Sequence, residues 1–307
     1  MQKIRQIEFE AGSREERLPG FAPDFPYIAT RAELDRYAER FVPWHWHRAV
    51  ELFYMESGAL EYETPAGRMV FPKGSGGFVN SNVLHMTRPL ACGEENLQLV
   101  HLFDPSFIAG EQGSRIGQKY VLPLTAAAQV ELIPLCPGDP QQAALLAQLR
   151  AAFDLEEGAP GYELRLRNIL SEVWLGLAQL ARPLLEQPAS PDRSSGQIKT
   201  MLAYIHEHYP EKITSADLAA AAYLSERGCY RLFRDCLHTT PAEYITGYRL
   251  QAACRMLADS ARPVAEVGWA CGLGSSSHFG SVFRRAMGCT PTEYRRRWQD
   301  RDTTRRD

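Results

Sequence analysis

Up to about Pro123 the chain alternates apolar and polar positions in short runs. ELFYMESGALEYET (51–64) and NLQLVHLF (96–103) are the clearest, and turn-forming TPAG and PKGSGG interrupt them. A period of two puts successive side chains on opposite faces of a strand. The pattern therefore predicts short strands arranged as a sandwich or barrel. From about Pro140 the period becomes helical. In GYELRLRNILSEVWLGLAQLAR, Leu166, Ile169, Leu170, Val173, Leu177 and Leu180 form one apolar stripe. LLEQPASPDRSSGQ (184–197) has the composition of a linker. After it the spacing is helical to Trp298.

One sentence is written twice in this helical end. FRDCLHTTPAEY (233–244) and FRRAMGCTPTEY (283–294) share Phe, Arg, Thr, Pro, Glu and Tyr at matching places. Each ends in a helix start: Thr240 or Thr290 at the N-cap, Pro at the first helical position, Glu243 or Glu293 three residues on. Before each lies an amphipathic helix, at about 226–236 after Ser225 and at about 276–287 before Gly288. Before each of those comes a shorter helix with small residues. The repeated unit is helix, turn, helix, and this is a DNA-reading unit whose second helix enters the major groove. A plain helical bundle would share its core, with Leu232, Phe233, Val282 and Phe283 inside. The other face favours DNA. Arg227, Tyr230, Arg231 and Arg234 lie three or four apart on the first candidate recognition helix, and Arg284 and Arg285 sit on the second. The intervening helix, about 27 Å long at the α-helical rise, suits two recognition helices roughly 34 Å apart, one turn of DNA.

Composition sharpens this picture modestly. The 307 residues carry a net charge of −3 and are 45% hydrophobic and 23% charged, which suits a soluble protein of two domains. From Gln197 onward there are 16 basic and 12 acidic residues; the remainder has 18 and 25. A mildly basic end on an acidic body points weakly to nucleic acid. No apolar run would span a bilayer, and the N-terminus lacks an apolar signal core, so the expected address is the cytoplasm. Seven cysteines, at 92, 136, 229, 236, 254, 271 and 289, show no CxxC spacing and read as free thiols.

Residues 197–298 resemble the DNA-binding domain of the AraC/XylS family of bacterial transcription regulators. The resemblance rests on ADLAAAAYLSERGCYRLFRDCLHTTPAEYITGYRLQAACRML and PVAEVGWACGLGSSSHFGSVFRRAMGCTPTEYRRRW. It implies base contacts from Arg227, Tyr230 and Arg231 in the first unit and from Ser276, Ser277, Gly280 and Ser281 in the second. Arg234, Arg284 and Arg285 are the expected phosphate contacts. Ser281 stands where the family often has Arg or Lys, so the second helix is expected to act chiefly through phosphates. The helices from about Pro140 to Arg182 resemble the family's dimerisation and linker helices, with the Leu166–Leu180 stripe shared between a dimer seam and the strand domain. The resemblance also implies a homodimer and contact with RNA polymerase.

The second constellation is PWHWHRAVELFYMESG. His45 and His47 share one face of a strand, Glu51 follows, and His85 arrives after PKGSGGFVNSNVLH. His-x-His-x3-Glu with a distant His, together with Gly67 to Gly74, resembles the cupin barrel, although Glu39 replaces a usual glycine. Two readings compete. Three imidazoles and a carboxylate suit Zn, Fe, Mn or Ni; alternatively the four residues line a pocket for an organic effector, a carbohydrate by resemblance. Alternation puts Trp44 and Trp46 on the opposite face, and Phe53, Tyr54 and Tyr62 nearby. His101 reads as a satisfied core histidine. No GxSxG or phosphate loop is present.

The expected fold is therefore α+β and multidomain. A cupin-like antiparallel β-barrel spans 1–139, a helical dimerisation region 140–183 and a linker 184–196. An all-α domain with two helix–turn–helix units and seven helices spans 197–299, and a tail follows at 300–307. The expected function is an effector-controlled, sequence-specific regulator that binds double-stranded DNA, without a cofactor and without catalysis. The alternative is a metal-dependent cupin enzyme, or a metal sensor, fused to a DNA-binding domain.

Overall fold

The computed structural model describes the chain except residues 1, 5–6, 11–13, 19, 23, 35–40, 91–94, 112, 187–192, 238 and 297–307. Glu39, Cys92, residues 187–192 of the expected linker and the 300–307 tail fall outside the described residues. The chain forms two compact units, one of Met1–Glu10 with Glu15–Asp192, the other of Ala11–Arg14 with Arg193–Asp307.

The first unit contains strands β1 (Gln2–Ile4), β2 (Glu8–Phe9), β3 (Glu16–Arg17), β4 (Tyr27–Glu33), β5 (Val42–His45), β6 (Val50–Ser57), β7 (Ala59–Thr64), β8 (Gly67–Pro72), β9 (Gly76–Val79), β10 (His85–Pro89), β11 (Leu97–Phe103) and β12 (Leu132–Leu135). They make a six-stranded sheet in the order β1-β4-β11-β6-β9-β12, a four-stranded sheet in the order β5-β10-β7-β8, and a small β2-β3 pair. The chain passes from one large sheet to the other at Gly58. Its φ is +72°, and an added Cβ there would meet the Asn96 side chain at 2.3 Å, so only glycine fits.

Two expectations need correction. The sheets are open, not closed into a barrel, and β1 pairs with β4 in parallel. Alternation along a strand is the same in a sandwich and in a barrel, because closure depends on which edges meet. β12 was also absent from the strand reading. It contains Pro134, which an edge strand tolerates, and it lies at the end of its sheet.

β6 shows why the sandwich holds. Phe53 and Met55 point between the sheets, with Leu60, Tyr62, Phe71, Val79, Val100 and Leu102. Val50 and Leu52 point the other way, into a second core. That core is capped by short helices α1 (Ser106–Ala109) and α2 (Leu122–Thr125) and by long helices α3 (Pro140–Ala152) and α4 (Tyr162–Leu185). Asp139 caps α3 by accepting from the backbone N–H groups of Gln141 and Gln142. Leu166, Leu170, Val173 and Leu177 are all fully buried in this core with Trp174, whose Nε1 donates to the Tyr120 carbonyl at 2.9 Å. Four residues of the stripe therefore pack into the core under the sheet, Ile169 and Leu180 lie half-buried at its margin, and residues 140–183 belong to the same compact unit as the strands. Periodicity identifies an apolar face without naming what covers it.

The second unit contains α5 (Arg193–His208), α6 (Ser215–Ala221), α7 (Glu226–Leu237), α8 (Pro241–Asp259), α9 (Val264–Ala270), α10 (Ser276–Met287) and α11, which begins at 291. α4 continues to Leu185 and α5 already starts at Arg193, so both intrude on the stretch read as linker. α5 buries Ile198, Met201, Leu202 and Ile205, and this tertiary contact outweighs the poor helix propensity of Ser194, Ser195 and Gly196. Thr240 and Glu243 form a reciprocal capping box on α8, and Thr290 and Glu293 repeat it on α11. Gly288 ends α10 in the left-handed conformation. Leu232, Phe233, Val282 and Phe283 are buried.

The two helix–turn–helix turns each need a left-handed residue. The second uses Gly272, φ +67°, where a Cβ would press on the Tyr209 and Pro210 carbonyls at 2.7 Å. The first uses Tyr223, φ +54°, whose side chain is 96% exposed. Gly272→Ala should destabilise the second unit by about 1–3 kcal/mol through strain. Tyr223→Gly should fall within about 1 kcal/mol of wild type, because relief of strain offsets the added chain entropy. Urea unfolding of the two variants measures the contrast.

Candidate functional site

His45 is the last residue of β5, His47 follows it after one buried tryptophan, His85 opens β10, and Glu51 lies on β6. β5 and β10 pair with His85 opposite His45, which fixes two imidazoles side by side. Glu51 comes from the other sheet, one pleat before Phe53, so it faces the same interior. All four side chains are buried. Trp44 and Trp46 are buried as well.

Each imidazole is held in one orientation by a backbone carbonyl. Nδ1 of His45, His47 and His85 lies 2.8, 2.8 and 2.9 Å from the carbonyls of Pro43, Ala49 and Val83. A carbonyl only accepts, so each Nδ1 donates and each ring turns its Nε2 inward. One ligating atom from each of the three rings lies within 4.8 Å of the others. Glu51 Oε2 is 3.4 Å from His47 Nε2 and 3.5 Å from His85 Nε2. Neither buried Nε2 has a hydrogen-bond partner among the described residues. Glu51 Oε1 accepts from the Tyr62 hydroxyl at 2.6 Å, and Gln98 Nε2 donates to that same hydroxyl.

A fifth group completes the centre. Glu16, on β3, places Oε2 3.6 Å from His45 Nε2 with its side chain 7% exposed. Its backbone N–H donates to the Trp46 carbonyl at 2.7 Å, so the strand is tied between the two histidines of the His-x-His pair. Sequence reasoning missed Glu16, because it lies far from the motif in a two-residue strand with no periodicity to read. Tyr62 was noted only as aromatic surface, and Gln98 was not noted.

The electrostatics follow from burial among these groups. Burial pushes the His45 imidazole well below its usual range, and the neighbouring His85 and His47 add to this. Burial pushes the Glu16 carboxyl up to about 7 against an opposing pull from His47. Burial would also raise Glu51, but its contacts with His47 and His85 outweigh that and hold it well below the usual carboxylate range. Burial and the Glu51 charge push the Tyr62 hydroxyl well up, so it stays a donor.

His101 is elsewhere. It faces the helical core, accepting from the Tyr27 hydroxyl at Nδ1 (2.6 Å) and lying over Phe153 at 3.6 Å between ring centroids. Burial lowers its pKa to about 3, so it is a neutral core histidine.

The second candidate face lies on α7 and α10. Arg227, Tyr230, Arg231 and Arg234 are exposed on α7, while Cys229, Leu232 and Phe233 turn inward. Ser225 accepts from the Gly228 N–H at 3.2 Å and starts the helix. The four exposed residues line an open concavity of about 650 Å³ that runs to Thr239, Thr240 and Glu243 at the start of α8. On α10, Ser276, Ser277, Ser281, Arg284 and Arg285 are exposed and Gly280 is half-buried. His278 is exposed on the same helix and was not singled out from sequence. The first helix thus presents long cationic and aromatic side chains, the second short hydroxyls followed by two arginines in its last turn.

Residues 218–297 match a helix-turn-helix domain family. Across most of the chain the sequence is 27% identical to the HTH-type transcriptional regulator YdeC of Bacillus subtilis, over 89% of this chain and 92% of that one. It is 29% identical over 102 residues to the HTH-type transcriptional activator RhaS of Klebsiella pneumoniae, a match that spans only 37% of that protein. Among solved structures, a transcriptional regulator from Chromobacterium violaceum with an AraC-type DNA-binding domain is 28% identical over 35% of this chain and 96% of that one, with a TM-score of 0.34.

Tyr62→Phe deletes the hydroxyl that holds the buried, ionised Glu51. A hydrogen bond to a charged group is worth about 1.5–3 kcal/mol, so the first unit should lose about that much stability in urea unfolding followed by tryptophan fluorescence.

Proposed function

We propose that this chain, a DNA-binding transcription regulator of the AraC family, is controlled by a small ligand bound at His45, His47, Glu51 and His85 of its N-terminal unit. The supporting observation is the inward convergence of three imidazole nitrogens beside a buried carboxylate, unusual for a site with only a packing role. Such acceptors call for a donor-rich or cationic occupant. A carbohydrate, with several hydroxyl donors, is the organic class that fits. The ligand shifts DNA affinity only by binding one arrangement of the chain better than another. Catalysis is the weaker reading, since the named relatives are regulators and no Ser or Cys nucleophile lies beside the centre among the described residues.

On the DNA side the first unit carries base reading and the second carries phosphate contact. The exposed Arg227, Tyr230 and Arg231 have the reach to touch base edges, whereas Ser276, Ser277 and Ser281 are short. Arg234, Arg284 and Arg285 serve phosphates. The working form is a homodimer that presents four reading units to paired half-sites, and contact with RNA polymerase follows from the family resemblance. No helix among the described residues is long and apolar enough to cross a membrane.

Arg231→Ala should weaken operator binding by about 1–3 kcal/mol and relax sequence preference, while Ser281→Ala should cost far less. Arg284→Ala should weaken all sequences about equally and reduce the salt slope by about one unit. Fluorescence anisotropy with a selected operator, across a salt series, measures all three. Equal losses for Arg231→Ala and Ser281→Ala would overturn the division of labour.

A further inference from the structure

We infer that the turn after α5, residues 209–211, is a clasp that fixes the two helix–turn–helix units relative to one another, with Arg249 and Gly272 as its positioning residues. This rests on the reading in which both of these units touch DNA, and it names what sets their joint geometry.

Along the chain the two reading units are joined by α8 and the non-helical residues 260–263. That connection is not uniformly stiff. Gly247 lies inside α8, and an added Cβ there would meet no atom within 4 Å. Packing does not call for glycine at this place, and glycine makes a helix interior less stable than alanine does by about 1 kcal/mol. A helix weakened in its middle and followed by a loop leaves the second reading unit free to swing about the first.

The clasp removes that freedom. α5 packs on α6 and α7, so it belongs to the first reading unit. Its last residue, His208, accepts from the Glu211 N–H at 2.9 Å and closes a turn. Arg249, two residues beyond Gly247, grips this turn from α8. Its Nε donates to the Tyr209 carbonyl at 2.8 Å, and its Nη2 donates to the Glu211 carbonyl at 2.5 Å. The cation also stands at the C-terminal end of α5, where the helix dipole favours positive charge. The turn of the second reading unit closes the other side. At Gly272 the backbones approach so closely that a Cβ would lie 2.7 Å from the Tyr209 and Pro210 carbonyls. The Tyr209 ring packs against the core that holds Val267, Cys271 and Phe279, and it stands edge-on to Tyr248 at 5.2 Å between centroids. A turn that belongs to the first reading unit is thus seated in the second.

Two ties fix an angle that one tie leaves free. Once the first reading unit is seated on DNA, Arg284 and Arg285 reach the backbone already placed, at high effective concentration. A loosened clasp keeps those contacts and adds an ordering cost to each. Lysine cannot take over from Arg249, because one ammonium does not reproduce the planar fork that spans two carbonyls.

The test uses the full chain and fluorescence anisotropy on two duplexes. The short one ends just past the bases protected by the first reading unit. The long one continues for about one further turn of DNA. The quantity read is the gain in affinity from short to long, with urea unfolding as the check that each variant is folded. Wild type should gain about 100-fold. Arg249→Met should match wild type on the short duplex and lose about tenfold of the gain on the long one. Arg249→Lys should follow Arg249→Met. Gly272→Ala presses on the clasp from the opposite side, leaves Arg249 intact and should show the same selective loss. A folded Arg249→Met or Gly272→Ala with the full wild-type gain overturns the clasp. Equal losses on both duplexes also overturn it, since they report general damage. Full recovery in Arg249→Lys overturns it too, by making Arg249 a direct phosphate contact. A wild-type chain that binds the short duplex and gains nothing from the long one overturns DNA contact by the second reading unit, and the clasp's role with it.

Discussion

The first unit depends on a sheet that is buried on both faces. β6 sends Phe53 and Met55 toward the second sheet and Val50 and Leu52 toward α3 and α4. Burying apolar area on both sides contributes roughly 25 cal/mol per Å², and it also excludes water from the space between the sheets. That exclusion gives Glu51 its character. A carboxylate on an exposed strand would be unremarkable. On this strand it is desolvated and must find partners, and the structure supplies Tyr62 on one oxygen and two imidazoles on the other.

The same constraint orders the histidines. A buried imidazole cannot leave Nδ1 unpaired, and a local carbonyl two residues away takes it in all three cases. The rings are then held in one orientation, and their inward nitrogens meet at one place. The site is thus a consequence of local backbone bonding repeated three times inside a dry interior.

In the second unit the repeated element is a start signal rather than a core. Thr240 with Glu243 and Thr290 with Glu293 set where α8 and α11 begin, and so where α7 and α10 must end. With those ends fixed, the inward positions Phe233 and Phe283 fix the rotation of each helix. Arg231 and Ser281 then occupy equivalent outward places. The two helices have the same frame and different faces, long cationic and aromatic side chains on one and short hydroxyls on the other.

Much of this was legible in the sequence because it is local. Capping boxes, the Gly288 stop, the Phe233 and Phe283 core positions and the outward arginines follow from spacings of three and four residues. The His-x-His-x3-Glu pattern with His85 likewise pointed to one interior. What the sequence could not settle is non-local. Alternation along β5 to β11 reads alike for a closed barrel and for two open sheets, and only edge pairing distinguishes them. The Leu166–Leu180 stripe announces an apolar face without saying which of its residues pack under the sheet. Glu16 sits in a strand of two residues with no pattern around it, and only the pairing of that strand beside Trp46 brings its carboxylate to His45. Local hydrogen-bonding rules are written in neighbouring residues, whereas contacts between distant segments depend on how all the buried surfaces are matched at once.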